Sequence, residues 1–523
     1  MNGRTTTGPT GSGARHGRDR RAHVVRGPQG AGRVRGSAPR AAVIGGGIAG
    51  LAAATALAER GVHVTVYERE DRLGGRLRGW PEELADGSTV TMSRGFHAFF
   101  RQYYNLRGLL RRADPALHVL RGLPDYPLRH SGGLQDGFAR VPRTPPWSAL
   151  GFVALSPTFG LRDLTRMNAR AALPLLDVRV PDIYRRLDHL DAQEFLERIR
   201  FPRAAHHLAF EVFSRSFFAD PRHLSAAELA LMFHIYFLGS SEGLLFDVPR
   251  EPFPAALWEP LARYLTGHGT DIRTGRAVEQ VEPARRGGFH VVTGDGEQRC
   301  DAVVLALDVK GLQGVVGRSP RFVDDAAWRA RITSLRTAPP FLVSRLWLDR
   351  RVAPDRPGFL GTSGYGALDN VSVLERWEGE AARWSARTGG SVVELHAYAV
   401  DPAADRAAEQ RSLLAQLHRL YPETRDARTV DSRHAWHADC PLFPVGGHRN
   451  RPTVRTPDPA VTVAGDIVRS DLPVALMERA ATTGFLAANA LLARWGLRGQ
   501  TLWTVPARGR TAALRALNRL LGD

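Results

Sequence analysis

Gly45, Gly47 and Gly50 stand at GxGxxG spacing, and Glu68 follows about 20 residues later; together these residue types can hold a dinucleotide. Gly45 permits a tight turn, Gly47 lets backbone approach a pyrophosphate, and Gly50 with Ala54 lets the next helix pack closely on a sheet. A helix starting at this turn offers free N–H groups and a partial positive charge to phosphate. Glu68 suits a ribose hydroxyl. Three elements must position these residues: an apolar strand over Ala41 to Ile44, an Ala/Leu-rich helix, and a second strand ending in Glu68.

The continuation Asp71, Arg72, Leu73, Gly74, Gly75, Arg76 resembles the second glycine-arginine signature of one flavoprotein superfamily, the amine oxidase and carotenoid desaturase group. That resemblance favours FAD over NAD and places Gly75 and Arg76 at the cofactor. Near the other end of the chain, the predicted strand AVTVAGD closes on Gly465 and Asp466 and leads through Leu472 and Pro473 into a long Ala-rich helix. A carboxylate there can accept from flavin ribityl hydroxyls, while the helix start favours the pyrophosphate. Met92 to Leu106, MSRGFHAFFRQYYNL, combines glycine, histidine and aromatics, so backbone can approach a flat ring and side chains can pack beside it. His97 is read as a cofactor contact in preference to a base.

The chain has 523 residues, too many for one compact core, and 43% apolar residues, as in a globular protein. Its formal charge is +18, yet nine arginines against one aspartate in the first forty residues supply +8 of that. Residues 1–40 are expected to be a disordered basic tail. No aromatic interleaving or recognised module accompanies these arginines, so no nucleic-acid partner is expected. Lys310 is the only lysine, a bias that inflates charge without functional meaning. Cys300 and Cys440 lack metal spacing and imply no disulfide framework; no metal site and a cytoplasmic location are expected. No apolar run reaches transmembrane length.

A helix, turn and strand over LARYLTGHGTDIRTGRAVEQVEP and a hairpin turning at Gly294-Asp295-Gly296 complete the cofactor region. The expected fold class is α/β: a Rossmann-type FAD-binding domain assembled from three segments, 41–115, 255–319 and 451–500, plus an α+β substrate domain from 116–254 and 320–450. Residues 501–523 are expected to carry a C-terminal interfacial helix. There Leu514, Leu517 and Leu521 share one face, with Arg508 and Arg510 just upstream, so a peripheral membrane contact follows.

Gly95, His97, Phe99, Phe100, Tyr103 and Asn105, together with the runs LAFEVFSRSFFADP and MFHIYFLGSSEGL, carry a resemblance to the carotenoid desaturases. More narrowly, the chain resembles the bacterial isorenieratene synthases, the β-carotene desaturase/methyltransferases, from residue 41 to about 505. The resemblance implies an amine oxidase/phytoene desaturase-like architecture. It also implies FAD contacts at Ala49, Glu68, Arg69, Arg76, His97, Ala98, Tyr103, Asp466 and Met477, and a substrate-facing position at Val474. The implied reaction is aromatisation of β-ionone rings by desaturation with an intramolecular 1,2-methyl shift. FAD carries the redox step and no S-adenosylmethionine is required.

A cationic ring is best held by aromatic faces. Phe210, Phe213 and Phe217 lie at helical spacing and Met232, Phe233, Tyr236 and Phe237 form a second stripe, from which Phe213 and Phe237 are taken as substrate contacts. No catalytic acid or base is assigned. The expected partners are a membrane-dissolved carotenoid, a membrane surface and an unidentified electron acceptor. The alternatives are a desaturase or isomerase of an acyclic carotene, an amine oxidase, and a non-catalytic FAD lipid-binding protein.

Overall fold

The computed structural model describes residues 19–202, 205 and 217–521. Its cofactor half is built on a five-stranded parallel sheet ordered Asp271–Arg273, His63–Tyr67, Arg40–Ile44, Ala302–Leu305, Val461–Val463. Three distant stretches of chain therefore meet in one sheet. Ala302–Leu305 and Val461–Val463 are buried throughout, because parallel strands are covered on both faces.

Helix Ile48–Ala58 is buried at every position. The long helix Leu476–Arg494 packs across it, and a Cβ on Gly484 would lie 2.2 Å from the Ala49 carbonyl oxygen, so only glycine allows this approach. The second half centres on a seven-stranded sheet ordered Thr429–His437, Phe341–Leu348, Ser391–Ala397, Asn370–Val373, Phe359–Ser363, Leu128–His130, Gln135–Asp136. Val393, Leu395 and Ala397 on one face pack with Leu413 and Leu417 of helix Arg406–Leu420. Glu394 and His396 alternate with them and belong to the opposite face, as strand geometry requires. Short helices between 147 and 233 complete this half, the last passing at His234–Leu238 into a π-helical segment.

Residues 19–40 correct the expectation of a disordered tail spanning 1–40. His23–Val25 pairs antiparallel with Leu502–Thr504, and the following chain runs beside Gly496 and Gly499. Backbone hydrogen bonds anchor this segment, a contribution that its Gly/Arg/Pro composition does not reveal. Residues 1–18 lie outside the described residues.

A buried ion cluster joins the two halves. Glu228, on helix Ala226–Phe233, accepts from Arg451 and from Arg479, each at 2.7 Å, and from the Tyr184 hydroxyl at 3.0 Å. The paired guanidiniums hold the Glu228 carboxyl at about 2 against the effect of its burial. Replacing Glu228 by leucine strands two buried cations and is expected to cost about 3–5 kcal/mol. Denaturant unfolding checks this, and Glu228→Leu combined with Arg451→Met and Arg479→Met is expected to recover much of the loss.

Candidate functional site

One cavity of about 530 Å³ is lined by residues of both halves. Its nucleotide end is formed by the two glycine turns. Helix Ile48–Ala58 has no side-chain cap, since Gly47 precedes it in extended conformation, so its first N–H groups remain available to phosphate. A Cβ added to Gly47 would lie 3.7 Å from the Gly75 Cα, and Gly75 itself adopts a left-handed φ of +57°. Side chains on these turns would enter the space between them. Gly45, with φ +111°, has no room for a Cβ against the Ala306 carbonyl. Gly50 does not line the cavity; it packs beneath it, where a Cβ would meet the Gly45 carbonyl oxygen.

Glu68 ends its strand with one carboxylate oxygen on the Gly46 N–H at 2.8 Å and the other on the Glu70 N–H at 3.0 Å. Burial pushes its carboxyl up, opposed by those two donors. Arg69 reaches Asp308 at 3.4 Å. Arg76 and Asp466 meet at 2.5 Å, and the carboxylate keeps the partly buried guanidinium charged. Gly465, Asp466 and Met477 line the cavity with Ala49, and Leu476 beside them holds a strained left-handed φ of +51°.

Beyond His97 and Ala98 the walls become aromatic, through Phe96, Phe100, Tyr103, Tyr126, Phe246, Phe341 and Phe359. Tyr103 and Tyr236 share a hydroxyl contact of 2.9 Å. The His97 Nδ1 lies 2.9 Å from the Gly95 carbonyl, which fixes its hydrogen there and leaves Nε2 as an acceptor. Burial, with Arg94 and Arg76 nearby, lowers His97 to about 4.

Two expected substrate contacts are corrected. Phe237 does not line the cavity, because it packs in a separate aromatic cluster with Phe138, Phe152 and Phe233. Val474 is buried away from it, its carbonyl engaged by Arg479 at 2.9 Å. Phe213 lies outside the described residues.

The sequence reading missed a polar corner in the aromatic wall: Asn370, His396 and Tyr398, backed by Glu394 and Arg345. The alternation Glu394-x-His396-x-Tyr398 in an otherwise apolar strand is its one sequence signal. Lys310 lines the opposite, nucleotide end with Asp308, Val278 and Gly311.

The family model for flavin containing amine oxidoreductase matches residues 48–492. The chain is 73% identical over 511 residues to a carotenoid phi-ring synthase of Streptomyces griseus, covering 98% of this chain and 99% of that protein. It is 25% identical over 486 residues to a probable zeta-carotene desaturase of Synechococcus elongatus, covering 87% and 98% respectively. Among solved structures, the cyclohexylamine oxidase of Brevibacterium oxydans shares the fold with a TM-score of 0.62 at 16% identity, over 88% of this chain and 100% of that one. The chain thus belongs to the flavin containing amine oxidoreductase family and, within it, to the carotenoid desaturase group. It is an FAD-dependent oxidoreductase, and the glycine turns, Glu68, Arg76 and Asp466 fit that cofactor.

Glu68→Ala removes the carboxylate offered to the ribose and is expected to weaken FAD binding by about 1.5–3 kcal/mol, one to two orders of magnitude in Kd by flavin fluorescence titration. Burial also holds His97, His234 and His437 near 4 and His448 near 3, against the usual 6.5. Protons bind the unfolded chain first. The contribution of these histidines is therefore expected to be full above pH 6.5 and to fall as pH drops from 6.5 through 4; unfolding midpoints of the His234→Gln variant compared with the parent across that window check it.

Proposed function

We propose that the protein aromatises the β-ionone rings of β-carotene, converting each to an isorenieratene-type ring by desaturation with a 1,2-methyl shift inside the ring. The observation that carries this reading is an aromatic-walled chamber continuous with a dinucleotide cradle. Bound FAD accepts hydride from the ring. Each ring must lose four hydrogens, two as hydride and two as protons, while every carbon is retained. Phe96, Phe246, Phe341 and Phe359 offer π faces to a ring cation without a lone pair that would trap it. The 73% identity to a phi-ring synthase favours a ring substrate over an acyclic carotene. An amine oxidase role is disfavoured because the only lysine, Lys310, sits at the nucleotide end.

Expression in a cell that already makes β-carotene tests the reading. Pigment with four fewer hydrogens per end group and unchanged carbon number is expected by mass and absorption. Unchanged β-carotene beside FAD-loaded protein would overturn it.

The substrate is a hydrocarbon and must come from a membrane, so the protein is read as a peripheral protein of the cytoplasmic membrane face. Among the described residues no helix is long and apolar enough to span one. Helix Trp147–Leu155 leaves Trp147 63%, Leu150 56% and Leu155 56% exposed on one side, with exposed Arg143, Arg162 and Arg166 nearby in the chain. That combination suits an anionic lipid surface. The C-terminal helix, Ala512–Leu521, exposes Leu520, while the side chains of Leu517, Arg519 and Leu521 lie outside the described set. Arg510 instead pairs with Asp19 in a mostly buried contact, while Arg508, 43% exposed, lies 3.4 Å from the buried Asp177. Changing Trp147, Leu150 and Leu155 together to serine is expected to abolish binding to phosphatidylglycerol vesicles in flotation assays, with FAD content retained. Undiminished flotation would exclude this helix as the contact.

A further inference from the structure

The ring reaction leaves two protons per ring to be removed, and around the π faces the chamber's polar side chains gather at Arg94 with Asp439, at Tyr103 with Tyr236, and at Asn370, His396 and Tyr398. The polar corner at Asn370, His396 and Tyr398 is buried and ordered by hydrogen bonds. Asn370 Nδ2 donates to the Tyr398 hydroxyl at 3.0 Å, and that hydroxyl lies 2.8 Å from His396 Nδ1. His396 Nε2 lies 2.9 Å from one Glu394 oxygen. Arg345 donates twice to the other, at 2.9 and 2.7 Å.

These contacts have one consistent direction. With Arg345 beside it, Glu394 is held well below the usual carboxylate range, at about 2, and is an anion. An anion at 2.9 Å requires a hydrogen on Nε2, so the longer approach of the Phe96 N–H, at 3.3 Å, does not set the tautomer. In the neutral imidazole Nδ1 is then a bare acceptor. The Tyr398 hydroxyl, already accepting from Asn370, directs its hydrogen there. The chain of contacts is primed to take one proton from the chamber side. Gly95 fixes its position: a Cβ there would lie 2.4 Å from His396 Cε1, so the loop that carries His97 presses against the imidazole.

We propose that Tyr398 and His396 are the proton exit for the aromatising ring. This rests on the ring-aromatising reading above. After hydride departure and methyl migration, a ring C–H next to the cationic carbon gives its proton to the Tyr398 oxygen. The electron pair of that bond becomes the new ring double bond and cancels the cation. In the same step the Tyr398 hydroxyl proton passes to His396 Nδ1, and the resulting imidazolium sits against the Glu394 carboxylate. Tyr398 is the catalytic residue, while His396, Glu394 and Arg345 act through it. The proton leaves to solvent, a two-electron acceptor of the quinone class reoxidises the flavin, and the second desaturation then removes a further hydride and proton with no further methyl shift.

The test uses full-length, FAD-loaded protein with β-carotene and a quinone electron acceptor in phosphatidylcholine vesicles. Aromatic pigment from the wild type is the first readout, and its absence removes the ring reading itself. Tyr398→Phe keeps the ring that packs on Phe218 and Phe341. It is expected to slow aromatic pigment formation about 10²–10⁴-fold. Flavin bleaching in a single anaerobic turnover is expected to slow far less. His396→Gln is expected to give the same split between pigment formation and flavin bleaching. The groups facing that imidazole are Glu394, Tyr398 and His97, with Arg345 and Glu378 behind Glu394. Undiminished pigment in Tyr398→Phe overturns the relay, as does equal slowing of pigment and bleaching in both variants, which would make the corner a wall and not an exit.

Discussion

The contact between Arg76 and Asp466 is the one on which the cavity depends. It joins the glycine turn of the first segment to the strand end of the last, and both side chains remain partly open to the chamber. Two charges at the lip of a partly buried site are tolerable only when paired, so each loop holds the other in place. Arg479 extends this link inward: it donates to the carbonyls of Val474 and Asp466 and to the Glu228 carboxylate. Through that residue the cofactor half is tied to the helices of the other half. The same arginine explains why Val474 turns away from the chamber, since its carbonyl is already committed.

The chamber changes chemistry along its length. At the nucleotide end, recognition falls to backbone N–H groups, Glu68, Arg76 and Asp466, all suited to phosphates and hydroxyls. At the far end, π faces replace them, and Arg94 lies 5.4 Å over the Phe341 ring while paired with Asp439. A hydrocarbon has nothing to hydrogen-bond, so orientation there must come from shape. A hydrogen-bonded polar corner in such a wall therefore has high consequence: in the proposed relay it is the place where a proton leaves without the solvent entering.

How much was legible in the sequence follows the same division. The dinucleotide turn was readable because its requirements are local: Gly45 needs a left-handed φ, Gly47 a bare backbone, and Glu68 the end of the next strand. The three-segment sheet was readable because each segment carries its own apolar strand. His396 was not, since its role depends on Arg345, which reaches Glu394 only through the antiparallel register of Phe341–Leu348 with Ser391–Ala397. Phe237 misled because a helical stripe was assumed where the chain winds as a π-helix over His234–Leu238, turning Tyr236 to the cavity and Phe237 to a neighbouring cluster. The basic N-terminal stretch misled for another reason. Arginine counts do not distinguish a solvated tail from a strap, and Arg510 is spent on Asp19 and Ser241, tying the 19–25 segment to the segment after Leu502–Thr504.

That engagement bears on how a water-insoluble substrate enters. Under the proposed membrane contact, Arg510 is engaged by Asp19 and Ser241, so the docking face is sought where apolar surface is uncovered. Helix Trp147–Leu155 has such a surface, and its half-buried Phe152 begins a series of ring contacts leading inward. Phe152 stacks on Phe138 at 4.8 Å, Phe138 meets Tyr126 at 5.7 Å, and Tyr126 meets Phe246 at 5.3 Å, where the chamber wall begins. A carotene is far longer than the chamber, so only its end ring needs to reach the cofactor while the polyene stays in contact with lipid or apolar wall. In the proposed reading, this aromatic series between the exposed helix and the chamber presents mainly apolar ring surface, which is compatible with a hydrocarbon.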